Sequence, residues 1–402
     1  MRKASVVFLL MCISTLAFPQ WTSLSSGTTS YLFSVYFTDF NTGYAVGQNG
    51  TIIKTINAGN NWTNQSSGTD TLLTSIFFAD SLTGFSVGYS GTILKTENAG
   101  NTWTALSSGT ISNLQEIYFI DHYTGYIVGD HGTILKTIDA GSSWAPSSSG
   151  SNNALLNSIF FTDASNGFAV GDGFIVLKTH NSGVTWSDSL SPAGPGYYNS
   201  VRFVNPDTGF AIGVMGWHGE HGVIDRTTDG GNTWFSPQYP EVDTYLASVK
   251  FPSPNIGYVV GGHGTIFNTT NGGENWSHQS SGTSNGLSDV FFTDINTGYA
   301  VGGSGTILKT LNGGTFIDDA KKSESTINLS PNPASNKIII TNTEFSKETL
   351  VSIVNIQGKP NSFNKFLNEN SFEIDITNLT RGIYFVIIQT DKKIETKKLI
   401  VQ

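Results

Sequence analysis

Apolar and polar residues alternate along most of this chain in runs of about four to six residues, which is typical of β-strands rather than helices. One stretch reads LLTSIFFADSLTGFSVGYSGTILKTENAGNTW from Leu72 to Trp103. Gly, Asp and Asn separate its apolar runs, so the pattern predicts four short strands: SIFFAD, GFSVG, TILKT and a fourth that begins at the tryptophan. No helical period persists along the chain, and we therefore expect an all-β protein.

This stretch is one copy of an internal repeat. Its closing tryptophan recurs at Trp62, Trp103, Trp144, Trp186, Trp234 and Trp276. Its third strand ends in a threonine in seven copies, at Thr55, Thr96, Thr137, Thr179, Thr227, Thr269 and Thr310. A period of about 40 to 45 residues with four strands per copy is typical of the blade of a β-propeller. The repeat therefore predicts a seven-bladed propeller over residues 20–316.

The last copy of the repeat is incomplete. It reads TLNGGTF and ends at Phe316 without a tryptophan or a fourth strand, whereas the chain has an additional WTSLSSGT at residues 21–28. A last blade of three strands would leave an open seam and an unpaired edge. We therefore predict that the N-terminal strand completes the last blade and closes the ring.

The turn after each third strand resembles the Asp-box of the sialidase and BNR-repeat propellers. Residues 137–144 (TIDAGSSW) and 227–234 (TTDGGNTW) match that motif fully, and the other copies have asparagine at the acidic position: Asn57, Asn98, Asn181, Asn271 and Asn312. Asp and Asn side chains hold tight turns by accepting hydrogen bonds from nearby backbone N–H groups. Because asparagine lacks the charge that a hard cation needs, we expect a structural turn and neither a metal nor a cofactor.

The whole repeat resembles that of the photosystem II stability and assembly factor family, F.D...GYAVG..G.I.KT.DGG.TW. The chain carries this pattern at residues 37–62 and 292–314, and the resemblance covers roughly residues 20–316. It implies a propeller that serves as a scaffold for the assembly of another protein. Members of that family meet their partner through a basic patch, whereas this propeller has only two arginines, Arg202 and Arg226.

The predicted propeller is strongly acidic. Residues 20–317 contain 20 Asp and Glu against 8 Lys and Arg, so their net charge is near −12. Such a surface repels nucleic acid phosphates and anionic lipid headgroups, so no nucleic acid partner is expected. Two arginines are too few for the arginine cluster that a sialidase needs, and that activity is excluded. Five lysines occupy one repeated position and predict a framework role: Lys54, Lys95, Lys136, Lys178 and Lys309.

One face of the propeller is the expected place for a ligand. The turns between second and third strands share this face with the links between blades, opposite the Asp-boxes, and the insertion GVMGWHGEHG at residues 213–222 breaks the repeat there. Aromatic rings with a few carboxylates and histidines suit a sugar or peptide groove. The candidate ligand-binding residues are Tyr89, Asp130, His131, Asp172, Tyr197, Tyr198, Trp217, His218, Glu220, His221, Tyr245 and His263.

Two other interpretations of this face stay open. The loops are also compatible with an exposed, variable surface that binds nothing. The spacing of His218, Glu220 and His221 is compatible with metal ligation but does not identify a metal site. No catalytic residue is assigned.

The N-terminus resembles a secretory signal peptide over residues 1–19. Arg2 and Lys3 precede an apolar run from Val6 to Leu16, and that run is too short to span a bilayer. Cys12, the only cysteine, lies inside this segment. The mature chain is therefore expected to have no disulfide, no thiolate metal site, no cysteine nucleophile and no transmembrane segment, and we expect a monomer.

The chain changes character after Phe316. A polar linker at residues 317–326 precedes alternating strands over residues 327–402, which predict a small Ig-like β-sandwich. The motifs PNP (331–333), NIQGK, LTRGIYFV (379–386) and KKLI resemble the C-terminal sorting domain of the Bacteroidetes type IX secretion system. This resemblance implies the type IX machinery as a partner and a final location outside the cell or on its surface.

Three functions fit these observations. The first is an exported, non-catalytic propeller that binds a glycan, a peptide or a protein partner. The second is a carbohydrate-active hydrolase that uses carboxylates on the open face. The third is an assembly scaffold like the photosystem family. Because the sequence has no nucleophile elbow, no phosphate loop and no Cys and His cluster, binding is expected over catalysis.

Overall fold

The structure is a computed structural model. It describes residues 20–150, 154–189, 194–216, 221–237, 242–314, 328–341, 348–355, 360–367, 371–389 and 394–402. These residues form two compact units, one within 20–314 and one within 328–402. Strands dominate both units, which confirms the all-β prediction. The predicted signal peptide, the predicted linker and the candidates Trp217, His218 and Glu220 lie outside the described residues.

The described part of the N-terminal unit contains seven antiparallel sheets. The first four sheets comprise β2 Leu32–Phe37, β3 Gly43–Gly47, β4 Ile52–Thr55 and β5 Thr63–Gln65; β6 Leu73–Phe78, β7 Gly84–Gly88, β8 Ile93–Thr96 and β9 Thr104–Leu106; β10 Leu114–Phe119, β11 Gly125–Gly129, β12 Ile134–Thr137 and β13 Ala145–Pro146; β14 Leu156–Phe161, β15 Gly167–Gly171, β16 Val176–Thr179 and β17 Ser187–Asp188.

The fifth sheet has three strands in the described residues, and the sixth and seventh have four each. They comprise β18 Gly196–Phe203, β19 Gly209–Met215 and β20 His221–Thr227; β21 Leu246–Lys250, β22 Gly257–Gly261, β23 Ile266–Thr269 and β24 Ser277–Gln279; β25 Leu287–Phe292, β26 Gly298–Gly302, β27 Ile307–Thr310 and β1 Thr22–Leu24. Single-turn 3-10 segments join the second and third strands of four sheets, at Tyr89–Gly91, Asp130–Gly132, Gly262–Gly264 and Gly303–Gly305.

The N-terminal strand is the outer strand of the seventh sheet. β1 pairs antiparallel with β27, with Thr22 opposite Lys309, as the incomplete last repeat predicts. Trp21, just before β1, is only 1 % exposed, and its ring lies edge-on to Tyr258 and Phe292 at 6.4 and 6.1 Å. The repeated tryptophans of the other sheets make the same edge-on contacts. Trp21 therefore takes the place of the tryptophan that the last repeat lacks.

The first strands of the seven sheets contact one another in a closed series around a central channel. One equivalent position on these strands is polar in all seven sheets: Ser34, Ser75, Glu116, Ser158, Ser200, Ser248 and Asp289. Most of these side chains accept a hydrogen bond from the backbone of the following sheet. Glu116 accepts one from the Ile159 N–H at 2.8 Å, and Asp289 accepts one from the Val35 N–H at 3.1 Å. The channel wall is thus joined by polar contacts from sheet to sheet.

The two faces of the propeller carry different turns. On one face, the backbone N–H of Gln48, in the turn between the second and third strands, donates to the carbonyl oxygen of Tyr31 in the link before β2, at 2.9 Å. On the opposite face, the Asp-box residue Ala58 donates to the carbonyl oxygen of Asn41, in the turn after the first strand, at 2.9 Å. We call these surfaces the link face and the Asp-box face.

The Asp-box turns are held by their own side chains. Asp139 accepts hydrogen bonds from the hydroxyl of Thr137 at 2.7 Å and from the backbone N–H of Ser143 at 2.9 Å. These hydrogen bonds, led by the one from the Ser143 hydroxyl, lower the pKa of Asp139 to about 2. Gly141 has φ of 72°, and a Cβ atom there would lie 2.4 Å from the ring of Phe85 in the neighbouring sheet. The glycine is therefore required both by the turn and by the close approach of the two sheets.

The repeated lysines join neighbouring sheets. The Nζ of Lys136 and the hydroxyl of Tyr126 both donate to the carbonyl oxygen of Ser182, at 2.7 and 2.8 Å. Lys54 and Lys309 make the equivalent hydrogen bonds to the Asp-boxes of their neighbours. These contacts support the predicted framework role of this position.

The C-terminal unit consists of two sheets in the described residues. One contains β28 Asn328–Ser330, β29 Lys337–Thr341 and β32 Ser371–Asp375, and the other contains β30 Glu348–Asn355, β31 Pro360–Leu367, β33 Gly382–Gln389 and β34 Ile394–Val401. Ile338 and Ile374 from the first sheet share one buried apolar cluster with Val386 and Leu399 from the second. The sheets therefore pack on a common core, while the Ig-like assignment stays a prediction.

Candidate functional site

Asp130 lies at the link face in the turn between β11 and β12. Its two carboxylate oxygens accept hydrogen bonds from the side-chain amides of Asn113 at 2.8 Å and Gln115 at 3.1 Å. Asn113 belongs to the link before β10, and Gln115 lies on β10 beside the channel. Asp130 is therefore fixed at the rim of the channel mouth by two neutral donors.

Asp172 and Tyr197 continue this rim toward the fifth sheet. The two residues form an isolated antiparallel bridge between the turn after β15 and the start of β18. Burial raises the pKa of Asp172, and the negative charge of Asp130 raises it further. Burial and the charge of Asp172 likewise raise the pKa of Tyr197, whose side chain keeps 37 % of its surface exposed. Two carboxylates and one accessible phenol are thus in electrostatic contact.

Tyr245, in the link before β21, contacts a tyrosine of the first sheet. Its hydroxyl lies 3.4 Å from the hydroxyl of Tyr31, whose ring stacks on Phe33 with centroids 4.7 Å apart. Burial raises the pKa of Tyr245, with further contributions from Tyr31 and Tyr197. Six residues thus lie along the channel mouth between the third sheet and the first, and we call them the link-face arc: Asp130, Asp172, Tyr197, Tyr245, Tyr31 and Phe33.

Three tyrosines of the arc stand at the same place in their repeats. Tyr31, Tyr197 and Tyr245 each precede the first inward-facing residue of the inner strand in the first, fifth and sixth sheets. Tyr31 and Phe33 were not predicted as site residues. Alignment of the repeats on the inner strands would have found Tyr31, because it is equivalent to the two tyrosines that the sequence did indicate.

The remaining described candidates lie elsewhere on the link face. Tyr89, 40 % exposed, occupies the turn of the second sheet, and His131 and His263 are exposed at positive φ of 58° and 53° in the turns of the third and sixth sheets. His221, at the start of β20, pairs with Asp243 at 3.5 Å. In the described residues, no side-chain hydrogen bond, ion pair or ring contact joins these four residues to the arc, although His131 follows Asp130 directly in the chain.

Tyr198 requires a correction. The sequence placed it in an exposed link, but its side chain is fully buried, and its hydroxyl donates a hydrogen bond to Asp225 on β20. Burial, together with the charge of Asp225, raises the pKa of Tyr198. Tyr198 occupies the position of a buried leucine in the other sheets, such as Leu32 and Leu246. It is a core residue and not a ligand contact.

Four charges inside the channel were also missed as a group. Arg202 on β18 forms an ion pair with Glu116 on β10 at 2.6 Å, and Lys250 on β21 lies 3.8 Å from Asp289 on β25. Burial opposes the ionisation of Glu116, but Arg202 and Lys250 outweigh it, and the pKa of Glu116 is lowered. The signal was present in the repeat, because serine or an aromatic residue occupies these positions in most other sheets.

The described residues offer no cluster of three or more His, Cys, Asp or Glu side chains arranged for a metal ion. The histidine and glutamate of the predicted insertion, His218 and Glu220, fall outside that statement. None of the helical segments described is long and apolar enough to cross a membrane. The chemistry that the arc offers is stacking on four aromatic rings and hydrogen bonding to phenols and two carboxylates.

The four-stranded sheets, the Asp-box turns and the channel define a β-propeller of the BNR-repeat class. The family model of the photosynthesis system II assembly factor YCF48 matches residues 13–111 and 106–237, which together exceed half of the chain. The chain therefore belongs to this family. Residues 328–402 match the family model of the secretion system C-terminal sorting domain.

Solved structures support the fold. YCF48 bound to a D1 peptide aligns with a TM-score of 0.62 at 19 % identity, over 75 % of this chain and 100 % of that one. YCF48 from Cyanidioschyzon merolae aligns with a TM-score of 0.59 at 16 % identity, over 72 % and 98 %. The GH74 xyloglucanase from Xanthomonas campestris aligns with a TM-score of 0.61 at 13 % identity, over 81 % and 60 %. No curated protein matches the chain.

Proposed function

We propose that this chain is an exported, non-catalytic propeller of seven blades that binds a peptide segment of a protein partner, or a glycan, along the link-face arc. The observation that carries the proposal is the arc itself. Three repeat-equivalent tyrosines and Phe33 stand in one row with Asp130 and Asp172 at the mouth of the channel. Such a row combines stacking surface with directional hydrogen-bond acceptors, which peptide and sugar ligands both use.

A peptide is the ligand that the charges favour. The net charge of the propeller is near −12, and the carboxylates of Asp130 and Asp172 make the arc locally negative. A peptide segment with basic residues would therefore be attracted to it. The family relative solved with a D1 peptide supports a peptide ligand for this fold. An assembly scaffold would use the same surface, with the partner as the protein under assembly. A glycan stays the second ligand class, because the tyrosine rings also suit sugar faces.

Export follows from the C-terminal unit. Its match to the sorting domain indicates transport by the secretion system that reads this domain, and the ligand is therefore sought outside the cell. We propose the type IX system, with release or attachment at the outer surface as the end point. In this proposal, the C-terminal unit directs export and the propeller binds the ligand.

The test is an array of glycans and of basic and acidic peptides probed with the full chain. The Tyr197→Ala and Tyr245→Ala variants should each weaken the strongest interaction by about 1–3 kcal/mol, as expected for the loss of an aromatic anchor. Tyr123→Ala is the matched control, because Tyr123 is 63 % exposed on the Asp-box face. A ligand whose affinity ignores both arc variants would place the site elsewhere.

Glycoside hydrolysis is the second candidate function, and one observation favours it. Asp172 has a raised pKa beside Asp130, whose carboxylate is held by two donors. Two carboxyl groups with different environments are the pattern of a general acid and its partner. Release of reducing sugar from a polysaccharide panel, lost in Asp172→Asn and kept in Asp188→Asn, would establish this function. Absence of turnover on every glycan that the chain binds would leave the propeller as a binding protein.

A further inference from the structure

A recess lies at the Asp-box end of the central channel, on the side opposite the link-face arc. Its volume is about 240 Å³, and it lies between the inner strands of the fourth to seventh sheets. Six of its lining residues are apolar: Phe160, Phe203, Phe251, Pro252, Phe291 and Phe292. The remaining two are the cations Arg202 and Lys250, which also line the channel cavity itself.

The two cations break the repeat at the position that builds this end of the channel. Five of the seven inner strands carry an aromatic residue there: Tyr36, Phe77, Tyr118, Phe160 and Phe291. The neighbouring fifth and sixth sheets instead carry Arg202 and Lys250. At the Asp-box end of the channel, two positive groups therefore lie side by side where the other five sheets have an aromatic ring.

Arg202 is held in place by several protein groups. Its guanidinium donates to Glu116 at 2.6 Å, to the carbonyl oxygen of Val201 at 2.6 Å and to the hydroxyl of Ser158 at 3.3 Å. Its group also lies over the ring of Phe160, 5.5 Å from the centroid. Arg202 therefore supplies a fixed positive charge whose position is set by four neighbours.

Lys250 is different. In the described residues its nearest carboxylate oxygen, Oδ1 of Asp289, lies 3.8 Å away, beyond hydrogen-bond distance. That oxygen already accepts hydrogen bonds from the Ser248 hydroxyl at 2.8 Å and the Val290 N–H at 2.9 Å. Burial lowers the pKa of Lys250 and the charge of Arg202 lowers it further, while Asp289 and Glu116 act in the opposite direction. The ammonium of Lys250 is therefore paired with Asp289 only at this longer distance, and it lines both the recess and the channel.

We propose that this recess binds a small organic monocarboxylate with an aromatic or branched aliphatic body. The carboxylate accepts from the Lys250 ammonium beside the Arg202 charge, and the body fills the space between the phenylalanine rings. Charge-assisted hydrogen bonds of this kind are the strong ones in proteins, and apolar walls strengthen them by excluding water. This site is independent of the link-face arc and of the function proposed for it.

The surroundings select the class of anion. Glu116 and Asp289 lie in the same charge cluster, and both are held by backbone donors, so a dianion such as sulfate meets two nearby negative charges. The six apolar wall residues offer little to a compact inorganic ion, which needs many hydrogen-bond donors. An apolar acid satisfies both the ammonium and the walls.

The experiment is calorimetric titration of the full chain with benzoate, benzamide and sulfate. We expect one saturable benzoate site per chain. Benzamide and sulfate should bind with affinities lower by about tenfold or more, because benzamide has no charge and sulfate has no apolar body. Lys250→Met should weaken benzoate by about tenfold or more, and Lys250→Arg should keep most of the affinity. Lys337→Met is the matched control, since it removes one charge from an exposed ion pair in the other unit.

The proposal is overturned by any of three results. The first is the absence of saturable benzoate binding to the wild type. The second is equal affinity for benzoate and benzamide, which would remove the role of the charge. The third is unchanged benzoate affinity in Lys250→Met. If that variant does not fold, as judged by circular dichroism, the wild-type comparison of the three ligands decides alone.

Discussion

Replacing Trp21 by alanine tests whether the N-terminal segment closes the propeller. Trp21 is 1 % exposed, contacts two rings edge-on and donates its indole N–H to the side-chain oxygen of Gln279 at 2.9 Å. Truncation of a buried tryptophan costs about 3–5 kcal/mol, and the buried Gln279 oxygen also loses its donor. We therefore expect the free energy of unfolding to fall by about 4 kcal/mol.

The loss in free energy of unfolding corresponds to a decrease in melting temperature. An entropy of unfolding of about 2.1 cal/mol/K per residue over the roughly 295 residues of the propeller predicts that the Tm falls by about 5–8 °C. Differential scanning calorimetry of the full chain measures the shift, and Trp62→Ala is the matched comparison from an intact repeat. Both variants lose a buried ring, and the shift for Trp62→Ala should be somewhat smaller, because the buried indole N–H of Trp62 has no hydrogen-bond partner in the described residues whereas that of Trp21 donates to Gln279. A shift below about 2 °C for Trp21→Ala, beside a full shift for Trp62→Ala, would refute closure by the N-terminal segment.

Three further predictions concern the framework, acid stability and export. Lys136→Met removes an inter-sheet hydrogen bond and should lower the free energy of unfolding by about 1 kcal/mol in urea denaturation, and an unchanged midpoint contradicts it. The lowered pKa of Glu116 contributes stability that is present above its ordinary pKa of 4.5 and is lost as the pH falls through the folded value. Glu116→Gln should therefore flatten the acid limb of the stability curve, and a limb parallel to that of the wild type contradicts this. Removal of residues 326–402 should leave a folded propeller in the periplasm of a type IX host, whereas equal amounts of both proteins outside the cell would exclude the sorting role.

Most of the propeller could be predicted from the alternation of apolar and polar residues and from the internal repeat. Glycine and Asp-box spacing placed the turns, and the surplus WTSLSSGT predicted the pairing of β1 with β27. These features could be predicted because every repeat has the same local pattern, in which strands of alternating residues end at turn residues. The C-terminal strands were readable for the same reason, although their Ig-like connectivity was not tested.

The candidate site was only partly readable. Asp130, Asp172, Tyr197 and Tyr245 stand out because they break the repeat at the link face, and the structure brings them into one row. The prediction for Tyr198 was wrong because β18 already begins at Gly196, so a residue expected in a link lies on a strand with its side chain in the core. The channel charges depart from the serine or aromatic residue that most other sheets carry at these positions, but the pairing of Glu116 with Arg202 between distant sheets leaves no local signature in the sequence.

Hydrogen–deuterium exchange on the full chain, with and without the strongest ligand from the array, tests the binding surface most directly. The account predicts that the ligand slows exchange in link-face segments, around residues 130–132, 172–174 and 245–247, which carry the arc. The Asp-box segment at residues 137–144 should exchange at the same rate in both samples. Slowed exchange in Asp-box segments, with the link face unchanged, would contradict the assignment of the link-face arc as the binding site.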